Sequence, residues 1–263
     1  MMRAYVSLFW LELRTSLALA MQYRTDFVTD GFVEVFWTIT ALVPLFVVFH
    51  ARPVVAGWTF GEALMVTGFF TLLQGVLEGA INPSMTLVVE QIRKGTFDFV
   101  LLKPKDPQFL VSTARVLPWR AVNLLTAGAL FVYGFFDLHR APPLADVLLT
   151  LCVLAASVAI LYALWMLAVS LAFYVVRVDN LTVLFGAVFD AARWPSSVFR
   201  GFFHVLFTFV IPLAVMTTFP AEVLLGHATL AHVGGAALAA ACALAVCRTV
   251  WVRAIAHYTS AGG

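Results

Sequence analysis

The chain is 263 residues long, 62% hydrophobic and only 11% charged, with a net charge of +2. Water-soluble folds usually carry about a quarter charged residues, so this composition excludes a soluble globule and points to an integral membrane protein. The strand alternation of a membrane barrel is absent, which leaves an all-α protein whose spans each need roughly 20 mostly apolar residues.

The opening "MMRAYVSLFWLELRTSLALAM" has the basic start of a targeting segment, but Glu12 and Arg14 interrupt the apolar run that cleavage would need, so the chain is expected to keep its first residues. Residues 1–24 instead read as a helix lying along the membrane surface, with Val6, Trp10, Leu13 and Leu17 on one side and Arg3, Ser7 and Arg14 on another. Two spans follow, at 27–49 and 62–86.

The next stretch, "VVEQIRKGTFDFVLLKPKDPQ", holds Lys94, Lys103 and Lys105, all the lysines of the chain. Gly95 suits a helix stop, because glycine enters the left-handed region without a side-chain clash. Thr96 is placed to cap a second turn, "FDFVLL", with Asp98 near its positive end, and Pro104 and Pro107 terminate it. On that turn Phe97, Val100 and Leu101 share a face by three- and four-residue spacing, and an apolar knob is expected to project from a basic loop. A knob fits a groove in a partner; a loop that only sets topology and touches anionic lipid is the alternative.

Further spans are read at 116–136, 147–176 and 231–251. Between Arg177 and Gly226 two arrangements compete, because Pro212 breaks the apolar run "GFFHVLFTFVIPLAVMTTFP". Either residues 180–194 cross and 196–226 form a re-entrant hairpin, or 178–200 stay on the near side and 201–219 cross. Both give six spans. The loop after the second span carries Arg93, Lys94, Lys103, Lys105, Arg115 and Arg120, so the positive-inside tendency places it and both termini in the cytoplasm. A hairpin would put Arg193 and Arg200 outside, against that tendency.

Candidate chemistry is sparse. Cys152, Cys242 and Cys247 lie in apolar runs without metal-ligand spacing, so neither disulfide nor metal is expected. His227 and His232 lack an H-E-x-x-H context, and Ser196 and Ser197 form no G-x-S-x-G elbow, so no catalytic residue is assigned. None of the three lysines sits in a Walker A loop, so any ATP hydrolysis must belong to another polypeptide. Glu34 and Glu78 lie deep in the first two spans and mark a translocation route or an interface, since a carboxylate in hydrocarbon is costly. An ion-coupled secondary transporter using these two acids is the alternative to an ATP-driven one.

The segment "VEQIRKGTFDFVLLKPKDPQF" resembles the cytoplasmic coupling segment of membrane subunits of type-2 ABC exporters, in particular a bacterial branch of the ABC-type-2 transporter proteins. The pattern is a basic residue, Gly, an acidic residue, a Leu-rich pair, then a basic residue and Pro. Here Arg93, Gly95, Asp98, Leu101, Lys103 and Pro104 stand in that pattern, and Phe97 and Val100 of the apolar face join them as the expected ATPase-coupling residues. The stretch "ARWPSSVFRGFFHVLFTFVIPLAVMTTFPAEVLLG" resembles a second signature of that branch. The resemblance implies a non-catalytic permease of the bacterial cytoplasmic membrane that pairs with a second permease chain, identical or related. It also implies docking of ABC ATPase subunits, which bind ATP and Mg, through residues 86–107. The hairpin arrangement for 196–226 and export as the direction follow from the same resemblance. Membrane lipid is the only other expected partner, and no nucleic acid is expected.

Overall fold

A computed structural model of the chain describes residues 2–22, 24–174, 186–227 and 229–258. Among these residues the protein is helical, apart from one isolated bridge between Val55 and Trp58. Helix α1 (Met2–Gln22) is followed by α2 (Arg24–Ala51). Helix α3 (Phe60–Val76) runs through a π turn, Leu77–Ile81, into α4 (Asn82–Arg93). Short helices α5 (Asp98–Leu101) and α6 (Pro107–Ser112) shape the basic loop. Helices α7 (Val122–Leu138), α8 (Leu144–Ser170) and α9 (Leu230–Ala256) complete the bundle.

Among the described residues five helices are long and apolar enough to cross a membrane: Gly31–Ala51, Phe60–Arg93, Pro118–Leu138, Leu144–Phe173 and Ala231–Ala256. The second is a single rod of 34 residues, so residues expected to open the loop instead extend the helix beyond the membrane-length segment. Its start is fixed by a capping box that the sequence reading passed over: the Thr59 amide donates to Glu62 Oε2 at 2.9 Å and the Glu62 amide to Thr59 Oγ1 at 3.5 Å. Of the expected crossing at 180–194, residues 180–185 lie outside the described ones, 186–190 are helical and Ala191–Arg193 form a 3-10 turn.

Helix α7 lies against α3 at close range because α3 presents glycine every seventh residue. A Cβ on Gly61 would stand 2.7 Å from Asp137 Oδ2, one on Gly68 2.6 Å from the Phe131 ring, and one on Gly75 2.8 Å from the Asn123 Cβ. Gly134 of α7 answers with a virtual contact of 2.5 Å to the Met65 methyl. In lipid, where apolar side chains gain little by leaving the solvent, such close packing is what joins helices. Helix α9 packs along α8, and their shared core includes Ile160, Met166, Cys247 and Trp251.

The segment after Pro195 folds back on itself. A first limb, Phe202–Val210, ends at Ile211 and Pro212, and a second limb runs Ala214–Leu224 with Met216 and Ala221 fully buried. At its start Trp58 Nε1 donates to Ser197 Oγ at 3.0 Å, and Ser197 Oγ donates to the Ala56 carbonyl at 3.2 Å. At its end Arg140 donates to the Leu225 carbonyl at 2.7 Å. Loops 52–59 and 139–143 therefore meet both ends of this segment. The basic loop lies at the far end of the α3–α4 rod.

Candidate functional site: the basic loop and the polar seam

Gly95, at φ +68°, turns the chain out of α4, and α5 then lies against the end of the bundle. Its three- and four-spaced face points inward, contrary to the projecting knob expected from spacing. Phe97 is fully buried, with edge-on ring contacts to Phe173 at 5.4 Å, Tyr258 at 5.5 Å and Trp251 at 6.2 Å. Val100 is buried beside it and Leu101 packs against the same core. Spacing identified one face correctly but could not say which way it points, and the aromatic rings at the ends of α8 and α9 decide that. The side chains that project are Phe99, 69% exposed, and Leu102, 79% exposed. Arg93, Lys94, Lys103 and Pro104 stand exposed around them. Thr96 makes no cap either: its hydroxyl donates to the Gln91 carbonyl at 3.4 Å, and Asp98 opens α5 without it.

The far arm of the loop is fastened to α9. Asp106 caps α6 by accepting from the Phe109 amide at 3.2 Å, and it holds Arg248 through two contacts of 2.6 and 3.1 Å. Arg248 also donates to Gln108 Oε1 at 2.8 Å. The Gln108 amide donates to the Tyr162 hydroxyl at 3.0 Å, which pairs with Ser112 Oγ at 2.7 Å. The Arg248 guanidinium holds the Asp106 carboxyl below the usual aspartate range. The role of Arg248 as an anchor depends on a contact across 142 positions.

The deep acids are not brought together as a pair. Glu34 of α2 accepts an ion pair from Arg120 at 2.5 Å, while Glu78, in the π turn, accepts from the Asn82 amide at 3.3 and 3.4 Å. Glu34 instead lines a crevice with Trp37, Thr38, Thr67, Phe70, Thr71, Gln74 and Arg193, and Glu78 is not in its lining. Thr67, Thr71, Gln74 and Glu78 recur at helical spacing on one stripe of the second span, a signal legible in the sequence but carried by no charge except Glu78. Arg193 lies 4.8 Å over the Phe70 ring and 3.6 Å from Asp190. Among the described residues no group of three or more His, Cys, Asp or Glu is placed to hold a metal ion.

No curated protein and no solved structure matches the chain. The profile of a family described as ABC-2 family transporter protein matches residues 35–262, spanning the basic loop and the folded-back segment. The chain is a multi-pass membrane protein and belongs to the ABC-2 family of transporter proteins.

Proposed function

We propose that the protein is the permease subunit of an ATP-driven exporter in the bacterial cytoplasmic membrane, with both termini inside and a second permease chain, identical or related, beside it. ABC-2 permeases generally pair with ABC ATPase subunits, and here ATP and Mg would be bound by that partner. Residues 180–194 supply the sixth span in this reading, and 196–226 form a hairpin that enters and leaves on the outer side. The contacts of Ser197 and Leu225 with loops at one end of the bundle support the hairpin. An ion-coupled carrier using Glu34 and Glu78 has less support, because Glu34 is already engaged by Arg120.

The observation that carries the proposal is the exposed apolar pair, Phe99 and Leu102, inside a basic rim at the end of the rod. Two large apolar side chains facing water beside fixed positive charge suit docking into a groove with an acidic border. The ATPase-coupling surface is then residues 86–107, with Arg93, Lys103 and Pro104 at the rim, Gly95 and Asp98 shaping the turn, and Phe97, Val100 and Leu101 seating it on the bundle. Co-purification of the ATPase in mild detergent, with ATP turnover measured alongside transport, tests this. Phe99→Asp with Leu102→Asp is expected to release the ATPase or uncouple its turnover while the permease stays folded. Phe97→Asp is expected to lower permease yield, since it forces a carboxylate among three aromatic rings. Normal ATPase retention and transport in the Phe99/Leu102 variant would overturn the assignment.

A further inference from the structure

The crevice beside Glu34 lies between helices that are long and apolar enough to cross a membrane. The Arg193 carbonyl accepts from Thr67 Oγ1 at 3.4 Å. Thr67 lies seven residues into the rod from Phe60, roughly 10 Å at 1.5 Å per residue. The turn carrying Arg193 is wedged there from both sides, since Thr217 of the second limb donates to the Ala192 carbonyl at 2.8 Å. A guanidinium held at that level needs partners, and among the described residues this one is poorly supplied. Its ion pair with Asp190 spans 3.6 Å to an acid that is itself 60% exposed, and one face rests on Phe70. Among the described residues most of its five N–H donors have no hydrogen-bond partner.

The neighbouring groups are spent or waiting in a pattern that selects a ligand. Glu34 is taken by Arg120. The Thr38, Thr67 and Thr71 hydroxyls each donate to a carbonyl one turn back. The Gln74 amide, also in the lining, makes no hydrogen bond among the described residues. The crevice therefore offers donors from Arg193 and Gln74 and no free carboxylate of its own. Its volume is about 40 Å³, room for a few waters or one small oxyanion but not for a whole cargo. At its edge stands Trp37, 61% exposed on α2, on the side where Phe36 and Val33 are also exposed.

We propose that the crevice binds the oxyanion head of an amphipathic molecule, a phosphate or carboxylate on an apolar body that lies along α2, with Arg193 and Gln74 as the head's donors. The idea that such a molecule is cargo rests on the transporter reading; the binding itself does not. The test uses the full chain in phosphatidylcholine nanodiscs without an ATPase, with dodecyl phosphate as the probe. Saturable one-to-one binding is expected, weakened on the order of tenfold by Arg193→Gln and about threefold by Gln74→Leu. Arg193→Lys, which keeps the charge, is expected to recover most of the Arg193→Gln loss. Inorganic phosphate and dodecyltrimethylammonium should bind at least about tenfold more weakly than the probe. Unchanged affinity in Arg193→Gln and Gln74→Leu would overturn the site. Equal binding of inorganic phosphate would overturn the amphipath and leave a free-anion site. Because no ATPase is present, a null result leaves the permease–ATPase pairing untouched, and failure of that pairing leaves this binding result standing.

Discussion

Asp106 and Arg248 show how one ion pair ties the basic loop to the bundle. Arg248 is half exposed and Asp106 about a third, so the pair contributes under about 1 kcal/mol on its own; its larger effect is to set Gln108 against Tyr162. The folded carboxyl titrates below the ordinary value, so its contribution is fully present above the unfolded aspartate pKa of about 3.9. It is lost as pH falls through the lowered folded value. Amide exchange of residues 106–112 is therefore expected to accelerate as pH drops below about 4, after correction for the intrinsic rate. Asp106→Asn should show faster exchange at neutral pH and no such pH component. An identical acid response in that variant would place the titrating group elsewhere. Capping by Asp106 is local and readable, whereas its pairing with Arg248, like the inward turn of Phe97, depends on where the ends of α8 and α9 arrive.

Helix α3 is held to α7 by absent side chains. Gly61, Gly68 and Gly75 repeat at heptad spacing, a pattern plain in the sequence but unread there because the repeat carries no charge or hydropathy of its own. The structure gives it meaning through the ring of Phe131 and the Asn123 side chain, which occupy the places a Cβ would take. Gly68→Ala is expected to cost about 1–3 kcal/mol, since the ring must shift or the helices separate. Gly128→Ala on α7, where no atom lies within 4 Å of the added carbon, should stay within about 0.5 kcal/mol of the parent. Reversible unfolding in mixed micelles measures both; equal losses would mean that the seam does not govern the packing. The apolar helices were readable by length and composition. Their C-terminal ends were not: the rod begins at a readable capping box but passes through a π turn that keeps helical direction past the apolar stretch.

At the scale of the molecule, the course of residues 177–226 was the least legible part, for a physical reason. Hydropathy measures whether a segment is apolar, and both limbs of the folded-back segment are, but each is too short to cross; turning at Pro212 leaves backbone groups that are tolerated at membrane depth only where protein or water satisfies them. Here the Ile211 amide reaches the Leu206 carbonyl at 2.8 Å, and the second limb is packed against α8 and α3. One exposed position separates the two arrangements, Ser197 before the first limb; His227 after the second limb and Thr96 in the basic loop, also exposed, serve as outer and inner controls. With Cys152, Cys242 and Cys247 replaced, a single cysteine is placed at each in turn and intact cells are treated with an impermeant thiol reagent. If both ends of the segment lie outside, Ser197→Cys and His227→Cys label at once, and Thr96→Cys labels only after the membrane is opened. If residues 201–219 cross instead, Ser197→Cys joins the protected class while His227→Cys still reacts. That outcome would move Arg193 and Arg200 to the side of the basic loop, in line with the positive-inside tendency, and would overturn the outward hairpin.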